Sequence, residues 1–114
     1  MTICKNDTHN FAQISIKNNN ISDDIIKEVC SIYKAIGEAS RLKIILALLE
    51  GDMCVYHISE YTGLKQSLTS HQLGILKQNN VIKSRKDGQL VIYSIADEHI
   101  RAIVNMSLEH VKCL

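Results

Sequence analysis

Thr62-Gly63-Leu64-Lys65-Gln66-Ser67-Leu68-Thr69-Ser70-His71-Gln72-Leu73, followed by Leu76 and Val81-Ile82, carries a helix stop and then a polar helix start. Thr62-Gly63 closes a short helix predicted over residues 54–61, because Gly accepts the left-handed backbone at a helix end. A longer helix is predicted over residues 66–79, with Leu68, Leu73, Leu76 and Ile75 turned inward. Two helices joined by so short a Gly-containing turn form a helix-turn-helix pattern. Next, Val81–Arg85 and Leu90–Ile95 read as strands around Lys86-Asp87-Gly88-Gln89. Asp-Gly supplies the positive φ that a tight hairpin needs. A hairpin directly after a helix-turn-helix is a wing.

Working outward, a helix is expected from Ser22, with Asp23 and Asp24 in its first turn, where acids favour the helix dipole. Ile25, Ile26, Val29, Ile32, Tyr33 and Ile36 mark its apolar stripe, and Gly37 interrupts it. Another helix is expected over residues 40–50, with Leu42, Ile45, Leu46 and Leu49 inward and Gly51 as its stop. A final helix is expected over residues 97–112. Residues 1–20, with Asn18-Asn19-Asn20, show no sustained period and read as a flexible N-terminal arm. Residues 21–114 read as one domain. The expected fold is mainly α with a small β-hairpin: a winged helix-turn-helix. A domain this small gains core by pairing, so a homodimer is expected, with the helices before and after the wing forming the interface.

Composition excludes several classes. The 114 residues are 46% apolar and 22% charged and contain no Pro, unlike disordered or collagen-like chains. The longest apolar run, Ile44 to Leu49, is far short of the ~18 residues of a membrane span. The first 20 residues lack an apolar signal core, so a cytoplasmic location is expected. There, Cys4, Cys30, Cys54 and Cys113 are expected as thiols rather than structural disulfides.

Charge is unevenly spread. Residues 63–89 hold five basic residues against Asp87 alone, a net +4 in a chain of net +1. Phosphate binding needs that concentration on the helix and hairpin that would meet double-stranded DNA. Gln66, Ser67, Thr69, Ser70, His71 and Gln72 crowd the start of the second helix. Helix capping accounts for one or two of them. As a set they suit the major groove, with hydroxyls for phosphate and Gln for an adenine edge. Arg85 and Lys86 on the wing suit flanking phosphate or the minor groove.

These residues, with Ala39-Ser40-Arg41-Leu42-Lys43-Ile44 before them and the basic hairpin after, resemble the ArsR/SmtB family of metal-responsive repressors. The likeness covers residues 22–113. It implies a dimeric winged helix that binds an inverted-repeat operator when metal-free and releases it on binding metal, so that metal-resistance genes are derepressed. Two positions depart from the family pattern. Lys65 stands where a capping Ser is frequent, and Gly74 where a basic residue is common.

The last helix raises metal chemistry by geometry alone. Asp97, His99, His110 and Cys113 are all competent ligands. His99 and His110 face nearly the same way, yet lie about 16 Å apart along the axis. One ion cannot bridge them within one helix. An antiparallel second copy brings Asp97 and His99 of one chain to His110 and Cys113 of the other, giving two tetrahedral sites per dimer. The family's zinc sensors have a similar set, with a carboxylate where Cys113 stands. A thiolate favours Zn2+ or Cd2+ over a hard ion. Metal affinity should fall with pH, because His and Cys must lose protons to bind.

A second candidate site pairs Cys54 with His57, one helical turn apart, and Cys4 with His9 could complete it. The resemblance implies such a site, with the arm of one subunit covering the other's helix. Cys54 could equally be a small buried residue. Cys30 lacks a ligand neighbour and suits core or dimer packing. A rival of the same fold is a repressor that senses thiol oxidation or persulfide through Cys113 or Cys54, without metal. A further rival is a metal-buffering or protein-interaction module that does not bind DNA. An enzyme is not expected: no nucleophile–base pair or phosphate loop stands out, and four-ligand sites leave no open position.

Overall fold

The computed structural model describes residues 20–114. In chain order the elements are α1 (Asp23–Ile36), α2 (Ala39–Glu50), β1 (Met53–Cys54), α3 (Val55–Thr62), α4 (Gln66–Gln78), β2 (Ile82–Asp87), β3 (Leu90–Ile95) and α5 (Glu98–Lys112). The chain divides by contacts between Ser31 and Ile32, inside α1. The expected arm, residues 1–20, lies almost wholly outside the described residues.

In the part from Ile32 onward, α2 packs against α3, α4 and β3. It buries Ile44, Ile45, Ala47 and Leu48, whereas Leu42, Leu46 and Leu49 are half-buried. The expected face is therefore rotated. Residues 44–49 are apolar all round, so periodicity could not choose a face, and neighbours on several sides made the choice. Ile58 of α3, Leu73 and Leu76 of α4, Ile82, Ile95, Ile100 and Val104 complete one core with Ala35.

The wing is longer than expected. Six residue pairs join β2 to β3, from Ile82–Ile95 to Asp87–Leu90. Asp87 closes the ladder rather than the turn. Within the turn, Gly88 alone has positive φ, 63°. A Gly at the first place of a two-residue loop is the II′ pattern, whose twist matches that of the strands. A third strand escaped the sequence reading: β1 adds Met53 and Cys54 to β3 opposite Tyr93 and Ile92. Two residues carry too little alternation to announce a strand. Cys54 thus ends a strand and stands at the N-cap position of α3 without a side-chain cap bond, and α3 begins at Val55.

The helix ends have local causes. Glu38 caps α2 by accepting from the Arg41 amide. Asn80 takes the left-handed conformation, φ 60°, and the Val81 amide reaches back to the Leu76 carbonyl to close α4. Asp97 caps α5 through the His99 and Ile100 amides. The α1 stripe behaves differently from expectation. Ala35 is buried and Ile32 and Ile36 are half-buried, but Ile25, Ile26, Val29 and Tyr33 are exposed. Among the described residues no helix is long and apolar enough to cross a membrane.

Candidate nucleic-acid interface and metal-ligand pairs

The α3–α4 turn is built by its own side chains. Gly63 at φ 76° donates its amide to Ser59 O. The Thr62 hydroxyl donates to Ile58 O at 2.8 Å, and the Ser59 hydroxyl to Leu64 O at 2.6 Å. These bonds fix the entry of α4, which starts without a side-chain cap at Lys65.

The α4 polar run divides into two faces. Gln66, Ser67, Ser70 and His71 are exposed, as the DNA reading requires. Thr69 and Gln72 are not: they are 0% and 7% exposed, among the core positions of the helix. Thr69 returns its hydroxyl to Lys65 O at 2.9 Å. Gln72 donates to Glu38 and Ser40 and accepts from Arg41. Both leave the set of groove-facing residues. Polar character alone points outward, but a fully hydrogen-bonded polar group can be buried. Leu68 shows the converse: expected inward, it is exposed.

At 3.6 residues per turn, Ser67, His71, Gly74 and Gln78 fall within roughly 60° of one another, opposite the buried face. Gln78 is exposed and extends the outward row by one turn; the neighbouring Lys77, one of the five basic residues of this segment, is exposed as well. On the wing, Lys83 and Lys86 are exposed. Arg85 is held by Asp52 at 2.9 Å, with more than half of its side chain in solvent. Its guanidinium reaches DNA only by sharing or leaving that partner.

The candidate metal ligands form pairs. Asp97 Oδ1 accepts from the His99 and Ile100 amides at 2.9 and 3.1 Å. The Ile100 amide, then His99, hold this carboxyl below the ordinary Asp value. Its other oxygen, Oδ2, lies 3.5 Å from His99 Nδ1, and the imidazole is 92% exposed. Capping therefore occupies one oxygen and leaves the second beside the ring. His110 and Cys113 are exposed at the far end of α5. His99, Met106 and His110 lie within roughly 40° around the axis. Met106, 70% exposed, stands between the two pairs. Carboxylate, imidazole and thiolate donors suit Zn2+ or Cd2+, but each end of α5 supplies only two. Among the described residues no three His, Cys, Asp or Glu converge.

Cys54 Sγ lies 3.5 Å from His57 Nδ1. The thiol is buried and the imidazole exposed. Cys4 and His9 lie outside the described residues. Cys30 is exposed, which removes the core alternative for it within one chain.

A model of the bacterial regulatory protein, arsR family, matches residues 39–84, from α2 into β2. The cadmium resistance transcriptional regulatory protein CadC homolog of Staphylococcus aureus is 34% identical over 99 residues, covering 82% of each chain. This chain belongs to the ArsR/SmtB family of transcriptional regulators. A transcriptional repressor SmtB homolog of Synechocystis is 29% identical over 92 residues, 81% of this chain and 70% of that protein. The homodimeric winged helix-turn-helix DNA-binding domain from Mycobacterium bovis superposes with a TM-score of 0.75 at 26% identity, over 80% of this chain and 87% of that one. The ArsR/SmtB assignment makes the protein a regulator with a winged helix-turn-helix, not an enzyme. The family match stops at residue 84, before α5.

Proposed function

We propose that this ArsR/SmtB-family regulator is a metal-sensing repressor. Its metal-free homodimer binds an inverted-repeat operator with Gln66, Ser67, Ser70 and His71 in the major groove and Arg85 and Lys86 on flanking backbone. As a DNA-bound regulator it would work in the cytoplasm. The observation that carries the sensing is the α5 face: two incomplete ligand pairs about 16 Å apart, with exposed Met106 between them. Antiparallel pairing of two such helices buries Met106 near the twofold axis. It also sets Asp97 and His99 against His110 and Cys113 of the partner subunit. Closing the four on Zn2+ or Cd2+ ties the helices together and biases the dimer to a pose that holds DNA poorly. Coupling of about 1–3 kcal/mol is typical of such linkage. The relative named for cadmium resistance supports metal-resistance genes as targets. Cys54 and His57, 3.5 Å apart, are proposed as part of a second, separate site that Cys4 and His9 would complete.

The test is a titration of the reduced protein on a duplex carrying its own promoter region, with Zn2+ and then Cd2+. Release is expected for wild type and Cys54→Ser, but not for His110→Ala. Release lost only in Cys54→Ser moves the switch to the second site. Tight DNA binding that no metal changes sinks metal sensing. An oxidant or polysulfide response at Cys113 or Cys54 would then take its place.

A further inference from the structure

Gln72 is a polar side chain buried on the inward face of α4, and each of its contacts crosses to another part of the fold. Its amide nitrogen donates to Ser40 Oγ at 2.6 Å and to Glu38 Oε1 at 3.1 Å. Its oxygen accepts from Arg41 NH1 at 3.0 Å. Glu38 also accepts from the Ser40 hydroxyl and the Arg41 amide, and these two bonds lower its carboxyl pKa from the usual value. The carboxylate is thus the charged centre that orients the other members. Arg41 extends the chain: Nε donates to Ala35 O at 2.7 Å and NH2 to Lys34 O at 3.3 Å. Those carbonyls belong to the last turn of α1. A continuous polar path therefore runs from the end of α1, through the start of α2, to the middle of the helix that faces DNA.

Packing alone would not need this path. Leu73 and Leu76 already bury the same face of α4 in the core. Apolar contacts are non-directional and tolerate small rotations, whereas a forked guanidinium and an amide fix angle and register. His71 is the immediate neighbour of Gln72, about 100° further round the helix, and is exposed. A rotation that broke the Gln72 bonds would swing Ser67 and His71 off their bases.

We propose that Gln72 is a positioning residue for DNA recognition: with Glu38, Ser40 and Arg41 it clasps α4 to the last turn of α1, so that operator affinity responds to the position of that turn. The proposal rests on the DNA-binding reading above. It predicts that the clasp governs specific binding and leaves general phosphate attraction alone, because none of its members faces the groove.

Two variants test it. Gln72→Met keeps length and leaves Glu38 bonded to Ser40 and the Arg41 amide, so no charge is stranded. Arg41→Lys keeps the charge but cannot bridge Lys34 and Ala35 to Gln72. Affinity is measured on the promoter duplex and on an unrelated duplex across a salt series, with circular dichroism as the control for folding. Each variant is expected to lose about tenfold or more in the ratio of specific to non-specific affinity. Non-specific affinity and the salt slope, which count phosphate contacts, should match wild type. Folded variants that keep the wild-type ratio overturn the proposal. If Gln72→Met alone lowers the ratio, the link to α1 is overturned. If Gln72→Met does not fold, Arg41→Lys decides. Wild-type protein that prefers neither duplex overturns the DNA reading itself, a result distinct from failure of the clasp.

Discussion

Helices α4 and α5 break the rule that polar means outside in opposite directions. Along α4 the inward face includes Thr69 and Gln72, and every polar atom there has a partner within the chain. Along α5 the outward face includes Met106 and Val111, both well exposed. The first helix is complete in one copy of the chain: its buried polarity is satisfied, and its outer row of Ser67, His71, Gly74 and Gln78 is free for a foreign surface. The second is unfinished in one copy, with apolar area uncovered and ligands present only in pairs. Under the proposed function the difference separates reading from sensing: DNA recognition would be folded into the single chain, and metal response would await a second chain.

The strongest test of this contrast is Met106→Glu. If two α5 helices meet there, the change removes two buried Met side chains per dimer, worth about 1.5–3 kcal/mol each, and opposes two carboxylates across the axis. Dimer dissociation should strengthen by about a hundredfold or more, seen by sedimentation, with little change in the helical content of the monomer. An unchanged dimer would move the interface off α5.

Next comes a comparison within α4. His71→Ala should lower operator affinity by about tenfold to a hundredfold and leave the melting temperature nearly unchanged, because the ring faces solvent. Thr69→Val should do the reverse. It keeps the branched shape but loses the hydroxyl bond to Lys65 O, costing about 1 kcal/mol of stability. Its operator affinity should stay near wild type. Exchanged phenotypes would mean that α4 presents its other face to DNA.

The smallest effect is expected from Gly74→Ala. A Cβ there meets nothing within 4 Å, and Gly in a helix interior costs about 1 kcal/mol relative to Ala. The variant should melt a few degrees higher. Its operator affinity should change less than that of His71→Ala, since a methyl group adds bulk without removing a contact.

Much of the architecture was legible in the sequence. Helix order, the Gly63 turn, the hairpin and the α5 start at Asp97 rest on local chemistry, and each appears within a residue or two of its expected place. The Asp97–His99 proximity followed from spacing and is seen at 3.5 Å. Facing was harder. The run Ile44–Leu49 hid which side of α2 is buried, β1 was too short to show, and Arg85 gave no sign that Asp52 would hold it.

What the sequence by itself determined was local: where backbone must turn, which residues cap helices, where positive charge gathers, and that the α5 ligands cannot meet within one helix. Those follow from φ preferences, helical period and charge count, none of which needs a distant neighbour. Only the tertiary structure decided that Thr69 and Gln72 turn inward while Leu68 turns outward. Thr69 finds its partner locally, at Lys65 O, but Gln72 depends on Glu38, Ser40 and Arg41, more than thirty positions away. No periodicity along α4 contains those partners; they exist for Gln72 only once α2 and α4 are packed together.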